Sequence, residues 1–472
     1  MGTRVPPLLR PASSDEYAPV PWLVRDHRAF ARFADDVAER ARAIGMTADD
    51  YPFDRRGTAA TLRAIDAEHG GGFFSVPEAA TLDVAAAEAA FAGTAPVVDV
   101  QTHLVDPARW SGSHAAALAG FLAMVDPQRW PGEIDPHAID AAAWAALVFG
   151  ASETAVALLT STPGTAESNV LTNPQIAAAR DVVDRYAGSG RVLTHTIVHP
   201  NLGRSELDAM EEWRETCRPS GWKCYTLWGP ATKSSPTGGW FLDDEEVGLP
   251  FLERVRALGP RVVAAHKGLG GPIPDASVAA ASPRDIGPAA VAFPDIDFVV
   301  YHSGYERDPV GQEGPYVASE DGLPARGVDR LVESLARHSI GAAANVYAEL
   351  GSTWFLMVRR PREAAHVLGK LLVALGPERI LWGTDSVWYG SPQPLVDAFR
   401  AFHIPEAMQE QYGYPPLDTA TKERILSVNA RRVYGIADAT LERVAAERDT
   451  SWVANAAPAL QRALASVNGR SG

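Results

Sequence analysis

Four short apolar runs in this chain end on a residue able to bind a divalent metal or move a proton. The first reads Val97-Val98-Asp99-Val100-Gln101-Thr102-His103. Others run from Arg261 to His266, from Asp297 to His302 and from Ile380 to Asp385. Residues two apart on a strand face the same way, so Gln101 and His103 present adjacent donors where a metal can be gripped. Lys267-Gly268 follows His266 and Ser303-Gly304 follows His302, which reads as strand giving way to loop.

Positioning these endings together requires their strands to run side by side. From Pro96 onward, short apolar runs alternate with helical stretches. The runs are Val97 to Thr102, Thr154 to Thr160, Val192 to Val198, Trp222 to Leu227, Arg261 to His266, Phe298 to His302, Asn345 to Leu350 and Arg379 to Thr384. Helical patterns fit between them at Ala138 to Phe149, Asn173 to Ala187 and Arg204 to Cys217. Such alternation predicts parallel strands joined by helices, and eight repeats allow closure into an α/β (β/α)8 TIM barrel. An open doubly wound sheet would place a glycine-rich phosphate turn after its first strand, and none follows His103. The barrel gathers its site at the carboxyl ends of its strands, where all four endings fall.

The spacing divides the chain into a helical extension over 1–95, a barrel over 96–437 and a helical tail over 438–472. In the extension, Phe30, Phe33, Val37 and Ala41 mark a helix over His27 to Ile44, followed by helical patterns at Thr58 to His69 and Val76 to Phe91. Thr421 to Tyr434 reads as a helix closing the barrel, and the tail as cover for the barrel or for a partner subunit. Four long connections, Asp106 to Pro136, Gly229 to Gly248, Gly268 to Pro288 and Gly304 to Gly327, read as lids or substrate walls on one face.

With 46% hydrophobic and 21% charged residues, the 472-residue chain has the composition of a soluble globular protein. A formal charge of -15 argues against nucleic acid as a partner. Cys217 and Cys224 supply no disulfide framework and suit a reduced, cytoplasmic setting. The start of the chain lacks the apolar run of a secretory signal, and Pro6 stands where a myristoylation motif wants Ser or Thr. The longest apolar run, Ala141 to Phe149, is far short of a membrane span.

Taken together, Asp99 to His103, His266, His302-Ser303-Gly304, Ile380 to Ser386 and Lys422 to Gly435 resemble the amidohydrolase superfamily. The likeness is to the branch of aminocarboxymuconate semialdehyde decarboxylase and related metal-dependent hydrolases and decarboxylases. It covers 97 to about 436 and omits the extension and the tail. The resemblance implies His103, His266 and Asp385 as metal ligands and His302 as acid or base, with Asp385 also managing a proton. Where the family has His-x-His, or Glu-x-His in related decarboxylases, this chain has Gln101, a neutral oxygen donor. Family members with two metals bridge them by a carboxylated lysine from strand four. Lys223 falls early in that strand, so a single metal is expected.

Two imidazoles and one carboxylate leave a divalent ion open positions for water or substrate, which a catalytic site requires. Such an ion activates water and polarises a carbonyl, leaving His302 to shuttle a proton near neutral pH. Gln101 either ligates directly or hydrogen-bonds substrate or a bound water. Glu349 is a candidate substrate group whose plainer account is a salt bridge. Arg109, Lys267 and Arg307 are candidates for a substrate carboxylate, against the usual fate of surface charge. Trp388, with Trp228, Trp240, Trp354, Trp382 and Tyr389, offers rings for a conjugated substrate, against packing beneath loops. His195 and His199, at or just past strand three, are lesser candidates.

The leading reading is a mononuclear metal-dependent hydrolase whose metal-activated water attacks a carbonyl of a small organic substrate. A close second is non-oxidative decarboxylation of an aromatic or enoic acid on the same scaffold. A third is a metal-free barrel serving as a binding or scaffold protein. Zinc is the expected ion, with manganese suited to added oxygen donors, and the family implies a homodimer.

Overall fold

In the computed structural model, the described residues are 3–12, 14, 21–127, 129–130, 134–165, 167–270, 277–306, 313–320, 325–342, 344–447 and 449–468. Eight strands pair in parallel in chain order: β1 (Val97–Thr102), β2 (Thr154–Leu159), β3 (Val192–Ile197), β4 (Gly221–Tyr225), β5 (Val262–His266), β6 (Asp297–Tyr301), β7 (Val346–Glu349) and β8 (Ile380–Leu381). The ring closes where β8 meets β1. Val100 N donates to Trp382 O at 3.0 Å, Asp385 N donates to Gln101 O at 2.9 Å, and Thr102 bridges Ser386 in parallel. The eight expected strands are present, as a (β/α)8 barrel.

Alternation along the strands explains the two faces. Val262, Ala264, Val299, Tyr301, Tyr347 and Leu381 pack as one cluster inside the barrel. The alternate residues Val263, Ala265, Val300, Val346 and Ala348 join the larger core beneath the helices, with Phe251, Leu252, Leu331 and Leu371. β8 is shorter than its apolar run because Trp382 N turns to Ile425 O at 3.1 Å, outside the sheet.

Most helices lie where periodicity puts them, among them Val24–Ala43, Arg55–Glu68, Asn173–Ala187 and Arg204–Thr216. The pattern at Val76 to Phe91 is not one helix: a 3-10 turn, Glu78–Thr81, precedes Val84–Ala90. The Asp83 side chain accepts from Ala86 N and starts the second piece anew. The connection expected as loop between Asp106 and Pro136 carries a helix, Ser113–Val125. That Ala- and Leu-rich segment has no polar face to reveal a helical period.

The tail covers the barrel. Its last helix, Ser451–Asn468, lies on Asn173–Ala187, with Trp452, Ala456, Leu460 and Leu464 clustered against Ile176 and Val183. In the extension, Phe33 and Val37 pack on Tyr51 and Ala60. Arg55 ties this layer down by bonding both oxygens of Asp397, at 3.0 and 2.7 Å. Among the described residues, no helix is long and apolar enough to cross a membrane.

Candidate active site

The seam of the barrel builds the first half of the site. Asp99 is fully buried and accepts from Gln101 N at 3.1 Å and Thr384 N at 3.0 Å, fixing the end of β1 against the turn after β8. Burial pushes its carboxyl up to about 7, with these donors pulling the other way. Beyond that staple, three predicted residues meet. His103 Nε2 lies 3.0 Å from Asp385 Oδ1, and Gln101 Nε2 donates to the same oxygen at 3.2 Å. Ser352 Oγ donates to Asp385 Oδ2 and lies 2.6 Å from the Tyr389 hydroxyl. The Trp388 ring stacks on His103 with centroids 6.0 Å apart.

The second half follows β6 and β7. His302 is not the last residue of its strand but the first of a 3-10 turn, His302–Gly304. Its Nδ1 is 2.7 Å from Gly351 O, and because a carbonyl only accepts, Nδ1 carries the hydrogen and the ring lone pair lies on Nε2. Glu349 Oε2 accepts from His302 N at 3.1 Å, and Oε1 accepts from Gly351 N at 2.5 Å. Burial pushes the Glu349 carboxyl up to about 7. Its partners here are main-chain amides.

His266 packs edge-on against His302, centroids 4.6 Å apart, and stacks on Tyr225 at 5.1 Å. Its Nε2 donates to Leu269 O, which leaves the lone pair on Nδ1. Metal-ligating histidines characteristically give their other ring hydrogen to such a carbonyl.

Four non-glycine residues of this site have left-handed backbone: His302 (φ 64), Ser303 (φ 55), Ser352 (φ 54) and Asp385 (φ 62). Each costs about 1–3 kcal/mol and persists only where its surroundings fix it. Two glycines make room. A Cβ on Gly351 would sit 2.0 Å from Gln101 Oε1, and one on Gly383 would sit 1.8 Å from Glu349 Oε1.

Among the described residues, no three or more of His, Cys, Asp and Glu gather as a ready metal cage. The donors that do converge are His103, Asp385 and the Gln101 carboxamide. The 3.0 Å separation of His103 Nε2 and Asp385 Oδ1 suits two ligands that each stand about 2.1 Å from one shared ion, whereas Gln101 meets Asp385 through its Nε2, a donor, and would have to turn its oxygen to join them. Gln101 Oε1 is buried without a hydrogen-bond partner, as an oxygen kept for an electropositive guest would be. The residues therefore fit a single divalent ion.

Other candidates lie elsewhere. Arg109 gives Nε to Asn169 O at 2.6 Å, joining two loops, and Arg307 falls outside the described residues. Lys267 is fully buried 2.7 Å from Asp285, a structural pair with no place for a substrate carboxylate. Trp240 packs on Phe251, while Trp354 and Trp382 pack on Phe399, so these rings are core. Trp228 faces His199 at 4.5 Å. His195 lies within the barrel, 3.3 Å from the Tyr301 hydroxyl, and Lys223 Nζ sits 3.4 Å over the Tyr301 ring. Ser352 carries no motif of its own, and Asp99 belongs to the Asp99 to His103 motif, which by itself assigns it no role. Asp99 was legible through its two-residue step from Gln101, whereas Ser352 itself sits at a left-handed position that spacing does not reveal.

The amidohydrolase family, Amidohydro_2, matches residues 98–436. A comparison with curated proteins finds no match. Among solved structures, a 2,6-dihydroxybenzoate decarboxylase complexed with 2,6-dihydroxybenzoate aligns at 14% identity and TM-score 0.41, covering 73% of this chain and 99% of its own. The 5-carboxyvanillate decarboxylase of Sphingomonas paucimobilis aligns at 15% identity and TM-score 0.43, covering 73% and 100%. The one from Novosphingobium aromaticivorans, complexed with manganese and 4-hydroxy-3-methoxy-5-nitrobenzoic acid, aligns at 13% and 0.44, covering 72% and 96%. The family match spans most of the chain and contains every strand end described above, so the chain belongs to the amidohydrolase family of enzymes.

Proposed function

We propose that this enzyme is a mononuclear metal-dependent decarboxylase acting without redox change on an aromatic or enoic carboxylic acid. The observation carrying this reading is the engagement of Asp385 on both oxygens, by Gln101 and His103 at Oδ1 and by Ser352 at Oδ2. Hydrolysis would ask that carboxylate to take a proton from attacking water. Tied at both oxygens to the side chains of three other residues, it is held in place, which suits an anchor and metal ligand better than a base. His302 is the group whose tautomer is set for proton transfer.

The ion would be held by His103, Asp385 and Gln101, with His266 presenting Nδ1. When bound, it would supply positive charge that orients an anionic substrate and draws electron density from it. Zinc suits the imidazoles and manganese the added oxygens. His302 delivers the proton at Nε2 to the carbon bearing the carboxylate, forming a C–H bond. The C–C bond to the carboxylate then breaks, its electron pair returns to the conjugated system and carbon dioxide leaves. Glu349 holds His302 in place through its backbone N–H, Trp388 offers an apolar wall, and Arg109 lies in a loop after β1.

The test is incubation of zinc- or manganese-loaded protein with a panel of hydroxybenzoic and enoic acids, with released carbon dioxide measured. Release that disappears in His302→Gln supports the proposal. Cleavage of amides or esters without carbon dioxide would replace it with hydrolysis. Absence of both activities and of stoichiometric metal would leave a binding barrel.

A further inference from the structure

A cavity of about 660 Å³ is walled by Arg10, Phe53, Arg129, Trp130, Leu147 and Tyr389, among others. None of Gln101, His103, His266, His302 or Asp385 lines it. Its size falls in the range of small-molecule sites. Four separate stretches of chain build it: the extension, the segment leading to β2, the region around Arg129, and the loop and helix after β8.

Charge is unevenly matched along its wall. At one end, Arg55 is satisfied by two bonds to Asp397 and one to Glu153 at 2.7 Å. At the other end, Arg10 and Arg129 share one carboxylate. Arg10 Nη1 lies 3.3 Å from Asp126 Oδ2, and Asp126 Oδ1 accepts from the main-chain N of Arg129 at 3.2 Å. Among the described residues, the Arg129 side chain has no carboxylate within ion-pair distance. Nη2 donates to Val387 O at 2.7 Å, and Nη1 donates to Trp388 O. Arg10 Nε is buried without a hydrogen-bond partner. Burial first, and Arg10 second, push the Arg129 guanidinium down to about 9. Two poorly solvated guanidiniums beside one carboxylate leave a positive charge that an anion would stabilise.

The rest of the wall is apolar and aromatic. The Arg129 guanidinium lies 4.3 Å over the Trp130 ring, and Arg10 lies 5.1 Å over Phe53. We propose that this cavity is a second ligand site, which binds an organic monocarboxylate with an aromatic body. The carboxylate sits between Arg10 and Arg129, where a guanidinium fork matches its geometry, and the ring lies against Trp130 and Phe53. Neutral molecules of the same shape lose the charge-assisted bonds and bind poorly.

The site reports to the catalytic seam through two connections. Arg129 holds the carbonyls of Val387 and Trp388, and the Trp388 ring stacks on His103. Tyr389 lines the cavity, while its hydroxyl meets Ser352, which donates to Asp385. A carboxylate that draws on Arg129 therefore changes the grip on the loop that carries Asp385. Binding itself is independent of whether the catalytic reaction is a decarboxylation.

The experiment is calorimetric titration of the full chain with 2-naphthoate and with neutral 2-naphthamide. One molecule of 2-naphthoate binds the wild type and His302→Gln alike. Affinity falls at least about tenfold in Arg129→Met, and the amide binds at least about tenfold more weakly than the acid. Leu147→Trp fills the cavity without touching its charges and weakens binding to the same degree, so it decides the matter if Arg129→Met does not fold. No binding at millimolar 2-naphthoate, wild-type affinity in the folded cavity variants, loss confined to His302→Gln, or equal binding of acid and amide would each overturn the proposal.

Discussion

His103 Nε2 lies 3.0 Å from Asp385 Oδ1 across the seam where β8 closes on β1. The contact exists only when the ring is shut, so whatever binds between these residues also fastens the barrel.

Metal loading should therefore raise thermal stability. An ion at one hundred times its dissociation constant adds about 2.7 kcal/mol when it binds only the folded chain. Melting of chelator-treated protein with and without zinc or manganese reads this directly, and His103→Ala should abolish the shift. An unchanged melting temperature in the wild type would remove metal from the account of the site.

His302 and His266 should part ways on substitution. His302→Gln is expected to lower turnover about 10²–10⁴-fold while keeping metal, because it removes only the proton carrier. His266→Ala should lose metal and turnover together. Metal analysis beside activity checks the division, and equal metal content in the two variants contradicts it.

Gly351→Ala and Gly383→Ala should damage the site from within. Each added methyl meets Gln101 Oε1 or Glu349 Oε1 at 2.0 or 1.8 Å, so side chains or backbone must shift. Overpacking of this kind costs about 1–3 kcal/mol and should displace Glu349 from the His302 amide. Urea unfolding gives the first effect and residual activity the second.

Lys267→Met should destabilise the chain by about 3–5 kcal/mol, because it leaves Asp285 charged and buried without its partner. Adding Asp285→Leu should recover most of that loss. Desolvation lowers the Lys267 pKa, consistent with an ammonium that depends on its neighbour. Denaturant midpoints of the single and double variants distinguish a structural pair from a substrate site.

Acid should weaken folding through buried neutral histidines. Burial pushes His199 down to about 3 and His366 down to about 4. An unfolded histidine binds its proton near pH 6.5, so below that value the unfolded chain takes up more protons than the folded one. Stability is full above about 6.5 and falls as pH drops toward the folded values. His366→Gln should reduce the acid-side loss by on the order of 2 kcal/mol, measured by urea unfolding at pH 7.5 and pH 5.

The strands were legible because a barrel strand buried on both sides reads as an unbroken apolar run, and Ala155 to Leu159 shows this plainly. Adjacency of Gln101, His103 and Asp385 followed once those runs were closed into a ring. Ser352 and Tyr389 were not legible as partners of Asp385, since Ser352 and Asp385 themselves have positive φ and no spacing rule crosses such turns. Lys267 misled for a similar reason. Its neighbour Asp285 lies beyond a loop, and a lone lysine after a histidine gives no sign that it is sealed in. The helix Ser113–Val125 stayed hidden because alanine and leucine surround it on every side.

The left-handed turns at His302, Ser303, Ser352 and Asp385 also restrict how such a scaffold acquires new chemistry. Randomising Ser303 and Ser352 would return few working clones outside Gly, Asn and Asp, the residues that tolerate this backbone. Divergence toward other substrates is therefore channelled into the segments around the mouth, while the turns themselves stay frozen.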